Sequence, residues 1–553
     1  MKKRILTFVI ALLCVLAMPK VALAATTGSC GDNATWSYSN GTLTISGKGV
    51  VDDYQWVKPY KDSITTVVVN EGITEFKGWS AFEGCDALTS VSLPQSLTKL
   101  DHYAFKGCDV LKSITIPKNL TEAGFCFKNS GLETITFAEG ATTVPSFICE
   151  NSPKLATIHF PTSMKKIGTS AFENCDALTT VQLPNQLETM ENYVFKSCDG
   201  IKSITIPKTV KTASFVFKDS ALETITFEDG TTEIPSFICE NCSKLTTINF
   251  VQSIKKIGTS AFENCDALTT VQLPKQLETM DNYVFKACDG IKSITIPKTV
   301  KTAAYVFRNS ALETVTFEDG ATVVPSFMFA YAEKLTTVNW PQTLKKIDTS
   351  AFESCKALTK LELPWYLEEI AFYAFQNCSN LKEITIYQNT KTINDYAFKY
   401  IEKITICGKK NSEAHKYAKK KGYTFKSCKI PALKGITYTK GNLKYKVVTD
   451  YIDGKGTVMV TGMKKNASSV TIPKTVKLES YSYKIVKINN NAFKGKKKIK
   501  KITIKSTTIT SVGKNAIKGI NKKATIKVPK SKKAAYKRLF KKSTGYVKTM
   551  KIK

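Results

Sequence analysis

Short runs in which apolar and polar residues alternate, each closed by a proline, recur along most of the chain. In Ser113 to Pro117, Ile114 and Ile116 alternate with Ser113 and Thr115. That period of two predicts a strand with one buried face. Pro117 ends it, because proline cannot donate to a ladder. The same run returns as Val91 to Pro94, Ile158 to Pro161, Val181 to Pro184, Ile204 to Pro207, Val271 to Pro274, Ile294 to Pro297, Val338 to Pro341 and Leu361 to Pro364. Between runs lie a looser extended stretch and a segment such as Ser170 to Leu178, which reads as a short helical turn.

An anchor aromatic within each turn sets the period. Taking it as Phe82, Phe105, Phe127, Phe147, Phe172, Phe195, Phe217, Phe237, Phe262, Phe285, Phe307, Phe327, Phe352, Phe375 and Phe398 gives spacings of 23, 22, 20 and 25 that then repeat. Four coils thus form a unit of 90 residues copied in tandem, and residues 179 to 229 recur almost letter for letter at 269 to 319. A unit of this size cannot bury its own apolar face, so neighbours must stack into one continuous core. The expected fold class is a repeat solenoid, with about fifteen parallel strands along one face. Copying of this kind lengthens a surface and does not readily build one unique active site.

The units A-F-x-x-C-x-x-L-x-x-I-x-I-P resemble the BspA-like bacterial secreted leucine-rich-repeat proteins, and Gly28 to Trp36 with Asn40 to Gly47 is similar to that family's N-terminal segment. The resemblance runs from about residue 28 to 428, with a Lys-rich stretch of similar repeats near 470 to 530. It implies a right-handed leucine-rich-repeat superhelix, a parallel sheet on the concave face, and short helical turns and loops on the convex side. It also implies surface adhesion, host-protein binding or coaggregation.

Compartment and charge add two features. Lys2, Lys3 and Arg4 precede the apolar run Ile5 to Met18, and Ala22-Leu23-Ala24 offers a small-x-small cleavage site. Residues 1–24 therefore read as an export signal. The run falls short of the ~20 residues a membrane span needs, and Cys14 lacks the small preceding residue expected of a lipoprotein. The whole chain carries +34, yet residues 429–553 hold 34 Lys and Arg against Asp450, Asp453 and Glu479, a local charge of +31. This tail keeps the coil grammar at Asn491 to Gly495, Ile499 to Ile504 and Ser469 to Pro473, and residues 434–462 alternate like two or three antiparallel strands. The domains expected are a signal peptide (1–24), a β-type cap (25–60), the solenoid (61–428) and a small basic β-rich module (429–553).

Sixteen cysteines in an exported chain would ordinarily suggest disulfides. However, Cys85, Cys108, Cys175, Cys198, Cys265, Cys288, Cys355 and Cys378 each follow an anchor Phe by three residues. A fixed place in so many coils predicts a buried ladder of free thiols. Cys239 with Cys242, and Cys407 with Cys428, stand as possible exceptions. The lone C-x-x-C has no second half to complete a zinc site, so no metal is expected. His102, His159 and His415 are isolated in sequence, and no G-x-S-x-G, H-E-x-x-H or Walker loop occurs. Neither enzyme chemistry nor a cofactor is expected. Glu228-Asp229-Gly230 and Glu318-Asp319-Gly320 read as turns between coils.

What the repeats offer is a surface. Thr115, His159, Gln182, Thr205, Asn249, Gln272, Thr295, Asn339 and Glu362 lie between buried strand positions and should project from the concave face as binding candidates. This face is nearly uncharged and poor in aromatics, although β-propensity alone would also favour its threonines. Sugar binding benefits from aromatic platforms, and Trp365 and Tyr366 are the loop candidates. Tyr103, Tyr193, Tyr283, Tyr373 and Tyr396 form a regular row read as packing. In the tail, Lys496, Lys497, Lys498, Lys500, Lys501, Lys532, Lys533, Lys537 and Arg538 are the polyanion-binding candidates. Anionic wall polymers such as teichoic acids, or acidic host glycans, fit this charge. Nucleic acid is disfavoured by the export signal and the lack of a recognisable motif. The expectation is an exported, surface-associated, non-enzymatic binding protein held electrostatically by its tail, with a wall-coating spacer or a released host-interacting effector as alternatives.

Overall fold

The computed structural model describes residues 26–553 apart from Asp53 and Asp453. The predicted export signal lies outside the described residues. Two compact units divide the chain: one runs up to Thr359 and takes in Glu369–Leu381 and Asn394–Glu402, and the other comprises Lys360–Glu368, Lys382–Ile393 and Lys403–Lys553.

The first unit opens with three antiparallel strands, Thr26–Gly31, Ala34–Ser39 and Thr42–Gly47. Thr42–Gly47 then pairs in parallel with Thr66–Val69, and the antiparallel cap passes into the parallel ladder of the repeats. The ladder is not the continuous sheet of fifteen strands that the sequence pattern predicts. Ser113–Ile116, Thr134–Phe137 and Thr157–His159 form one parallel triplet, Ser203–Ile206, Thr224–Phe227 and Thr247–Asn249 a second, and Ser293–Ile296, Thr314–Phe317 and Thr337–Asn339 a third. The coils at Val181 to Pro184 and Val271 to Pro274, read from sequence as strands, join neither flanking triplet.

A second ladder bridges each gap. Thr143–Val144, Lys166–Ile167, Thr189–Met190 and Thr212–Ala213 pair in parallel across the first of them, and Glu233–Ile234, Lys256–Ile257, Thr279–Met280 and Thr302–Ala303 across the next. The breaks are staggered, so a coil that opens on one ladder is held by the other.

The core runs through the anchor column, with a change of register from the sequence reading. Phe147, Phe237 and Phe327 are half-buried and lie two residues before the anchor, in the row of Tyr103 and Phe125. The anchor positions in those coils are Cys149, Cys239 and Phe329, all fully buried. The amide of Cys149 donates to Ala171 O as that of Phe172 donates to Val194 O, and the anchor spacings become 23, 22, 22 and 23. Aromatics of the following coil offset the small anchors: Phe160 meets Phe172 edge-on at 6.1 Å and Phe250 meets Phe262 at 6.0 Å.

The predicted helical turns are likewise absent: Ser170 to Leu178 is a succession of turns. Two residues four apart, one on each side of the anchor, take positive φ in each coil from that of Phe82 to that of Phe375, as at Ser170 (48°) and Asn174 (57°) or Tyr193 (64°) and Ser197 (53°). Left-handed backbone at that interval cannot continue a helix.

The corrected register also explains the cysteines, which are all free among the described residues. Cys242, three residues after the anchor Cys239, joins the thiol ladder, and Ser130, Ser152, Ser220 and Ser310 hold the same place in other coils. The cysteines and Ser152 donate to the carbonyl of the preceding anchor, Cys198 Sγ to Phe172 O at 3.0 Å, Cys242 Sγ to Phe217 O at 2.9 Å and Ser152 Oγ to Phe127 O at 2.8 Å, whereas Ser310 Oγ donates to Phe307 O of its own coil. Burial pushes the Cys198 thiol up to about 12 and that of Cys85 to about 11, so they remain protonated and poorly nucleophilic. Cys198→Ser should therefore cost about 1 kcal/mol or less in thermal unfolding, while Cys198→Val, which leaves the carbonyl unpaired, should cost about 1–3 kcal/mol. Equal losses would contradict the donor role.

One buried group departs from the repeat. Glu191 and Asp281 pair with Lys166 and Lys256 at 2.5 and 3.3 Å, but at the equivalent Asp101 the ladder register puts Glu75 in the lysine's place. Asp101 is 2% exposed; its Oδ2 accepts from the Ala81 amide at 2.9 Å and its Oδ1 has no partner. Burial, opposed by the backbone hydrogen bonds, raises its carboxyl to about 7. Tyr54 and Cys126 feel its charge, and Glu75, Lys99, Glu122 and His102 line the adjoining cleft. The folded-state value exceeds the unfolded one, so this group's stabilisation is full below pH ~4 and is lost as the pH rises through about 7. Asp101→Asn should remove a penalty on the order of 4 kcal/mol at pH 8. Thermal melts from pH 4 to 8 check this; parallel curves for the two proteins would contradict it.

In the second unit, Thr437–Lys440, Leu443–Ile452 and Lys455–Met463 are antiparallel, as the alternation at 434–462 predicts. Parallel coils resume with Ser469–Ile472, Lys501–Ile504, Thr525–Lys527 and Lys551–Ile552. Val458, Tyr483, Ile485, Phe493 and Ile502 make their core. Buried tyrosine hydroxyls are satisfied there: Tyr536 donates to Ser506 O at 2.9 Å and accepts from the Ile509 amide at 3.0 Å. The basic tail is a folded module.

Candidate functional site

All nine sequence-predicted concave residues, Thr115, His159, Gln182, Thr205, Asn249, Gln272, Thr295, Asn339 and Glu362, are exposed. Register aligns them in columns, Thr115 beside Thr136 beside His159, and Thr205 beside Thr226 beside Asn249. The Asn249 and Asn339 amides donate to Thr226 and Thr316 at 2.9 and 3.0 Å, which fixes those side chains along the face. The break at Val181 to Pro184 opens a cleft of about 660 Å³ that brings His159, Gln182 and Thr205 together with Asn185 and Glu228. Its lining is hydroxyl, amide and imidazole around partly exposed Ile158 and Val181, suited to an extended polar ligand. Glu362 accepts from the Tyr387 hydroxyl inside the second unit and is not a free acceptor.

The loop aromatics do not form an open platform. Trp365 meets Tyr387 edge-on at 6.2 Å, and the Tyr366 hydroxyl donates to Asp450 at 3.0 Å, which fastens this loop within its own unit. The exposed tryptophan of the repeats is Trp79, 66% accessible, which the sequence reading passed over. The tyrosine row belongs to half-exposed stacks, such as Tyr193, Phe215 and Phe237, with ring centroids 5.4 and 4.5 Å apart. Lys196 and Lys218 lie over Tyr193 and Phe215 and pair with Glu173 and Glu240 at 2.8 Å.

Charge is balanced in one region and unbalanced in another. In the repeats, lysines repeatedly meet a glutamate one coil away, as in Lys106 with Glu83 and Lys286 with Glu263. In the tail, Lys497, Lys498, Lys500, Lys501, Lys532, Lys533, Lys537 and Arg538 are exposed and Lys496 partly so. Among the described residues no Lys or Arg from 429 onward forms an ion pair. Glu479 is taken by Lys409 at 2.8 Å, and Asp450 by Tyr366 and the Lys434 amide. The tail ammonium groups therefore have only solvent and external anions to meet.

The model of the BspA type leucine rich repeat region matches residues 60–126, 123–215, 211–326, 301–431 and 463–553, in six copies. The chain belongs to the BspA-type leucine-rich-repeat family. The match extends into the Lys-rich tail, so the basic module is built from BspA-type coils too. Similar solved structures include a leucine-rich repeat protein from Bacteroides ovatus, 23% identical over 72% of this chain and 98% of that one, with a TM-score of 0.41. A leucine-rich repeat protein from Eubacterium ventriosum is 24% identical over 52% and 95%, with a TM-score of 0.32. A leucine rich cell surface protein from Faecalibacterium prausnitzii is 19% identical over 71% and 97%, with a TM-score of 0.23. No curated protein matches. Among the described residues no helix is long and apolar enough to cross a membrane, and no group of His, Cys, Asp and Glu could hold a metal ion.

Proposed function

We propose that this BspA-type protein is exported and acts at the cell surface as a non-enzymatic binding protein, with its repeats presenting a polar concave face to a protein or glycan and its basic module adhering to an anionic wall polymer. The unpaired lysines of the tail carry this reading. A folded module that leaves 34 cations against three acids meets self-repulsion, which an anionic partner relieves. In the repeats, where acids are nearly as numerous as lysines and many of the two are paired, this demand is far weaker. The cleft at His159, Gln182 and Thr205 supports a separate, polar ligand for the solenoid. Elution of the full mature chain from immobilised linear polyphosphate tests the retention half. Retention beyond physiological ionic strength, where the screening length is about 8 Å, is the expected result. Release below that salt would remove the basis for electrostatic anchoring.

A further inference from the structure

We infer that the first repeat coil carries a saccharide-binding site for a carboxylate-bearing sugar, built on Trp79. A cavity of about 610 Å³ opens there, within the range of about 300–1,000 Å³ typical of small-ligand sites. Trp79 lines it, stacked on His102 at 4.7 Å with an interplanar angle of 23°. One indole face is thereby supported, and the ring remains 66% exposed.

The tandem copies show that the fold does not need it. The positions equivalent to Trp79 in the later units are Thr169, Thr259 and Thr349, and those equivalent to His102 are Asn192, Asn282 and Phe372. Each of those coils folds without an indole at that place. The stacked pair is therefore an addition to the repeat, found where the cap meets the first coil.

The rest of the lining sets the ligand class. Lys58 and Lys61, on the short turn Lys58–Ser63, face the cavity and form no ion pair among the described residues. Lys106 is already matched to Glu83 at 2.8 Å, and Asp52 completes the charged groups, which leaves the site net positive. An aromatic face takes the C–H face of a pyranose by dispersion and favourable ring electrostatics. Two free ammonium groups beside it favour a sugar that carries a carboxylate. A nucleobase would be better served by two sandwiching rings, and the second ring lining the cavity, Tyr54, is already stacked on Phe76 at 6.4 Å. This site lies apart from the concave cleft and does not depend on the tail.

Isothermal titration of the full mature chain with a glucuronate-containing hyaluronan tetrasaccharide, neutral chitotetraose and ADP tests the inference. Trp79→Thr is the first variant, because threonine holds that position in three sister coils. Lys58→Ala with Lys61→Ala is the second, since Lys58 is exposed, Lys61 is half-buried and neither is paired. The expected result is saturable binding of the acidic tetrasaccharide, weakened by about tenfold in Trp79→Thr. The double lysine variant should reduce it to the level of chitotetraose. Unchanged binding in Trp79→Thr would assign the sugar to the polycationic tail and overturn the site. Equal binding of chitotetraose would overturn the acidic specificity, and tighter, Trp79-dependent binding of ADP would overturn the saccharide class.

Discussion

Replacing Phe195 by alanine is expected to destabilise the repeats by about 3–5 kcal/mol, among the largest losses available to a single core substitution. Phe195 is fully buried and stacks in parallel with Phe172 at 5.6 Å and Phe217 at 5.8 Å, so its removal empties a place shared by three coils. Each coil is stabilised by its neighbours and cannot close its own core. The cavity should therefore loosen both flanking coils as well. Hydrogen exchange provides the local readout, with protection falling across the strands Ser203–Ile206 and Thr224–Phe227. Cys239→Ala, at the anchor position two coils on, should cost only about 1 kcal/mol, because little side chain is removed and Phe250 already fills the space toward Phe262. Equal costs at the two positions would show that the anchor column is not what joins the coils.

The second large effect concerns the tail. Changing Lys496, Lys497, Lys498, Lys500 and Lys501 to glutamine in the full chain should weaken binding to linear polyphosphate by at least tenfold at physiological salt. Each lysine near an anionic surface contributes roughly 1 kcal/mol, attenuated by screening. The dependence of affinity on salt should become shallower, since fewer counterions are exchanged. Four of these lysines are exposed, Lys496 is partly so, and none forms an ion pair, so the unfolding temperature should hold or rise as like-charge repulsion falls. A drop in unfolding temperature with unchanged affinity would instead make these residues structural.

The period of the repeat, the parallel pairing and the thiol ladder were legible because each rests on a local rule repeated many times. The register of every fourth coil was not. Phe147, Phe237 and Phe327 satisfy an aromatic pattern, while the true anchors Cys149 and Cys239 are small and rely on Phe160 and Phe250 from the next coil, a compensation visible only in three dimensions. The gaps at Val181 and Val271 escaped for a related reason. Alternation reports which face of a run is buried, whereas pairing depends on the distance to adjacent coils. The helical turns failed at Ser170 and Asn174, whose positive φ values follow from the curvature of the coil and not from poor helix propensity alone.

Among the candidate sites, exposure of the concave column followed directly from the period of two. Tyr366 was misleading because its partner, Asp450, is 84 residues away. Trp79 had a usable signal that went unread: set against Thr169, Thr259 and Thr349, it is the odd residue in its column. Departures between tandem copies mark what the fold can do without.

The central claim, retention through the basic module with the repeats left free to bind, is tested most directly by cosedimentation with purified Gram-positive wall sacculi. The full mature protein and its five-lysine glutamine variant would be compared, with and without teichoic acid, across a salt series. The account predicts that the parent protein pellets with intact sacculi, is released by salt or by removal of the teichoic acid, and that the variant remains largely in the supernatant. Equal pelleting of both proteins, insensitive to salt and polymer, would contradict it and assign wall attachment to the solenoid.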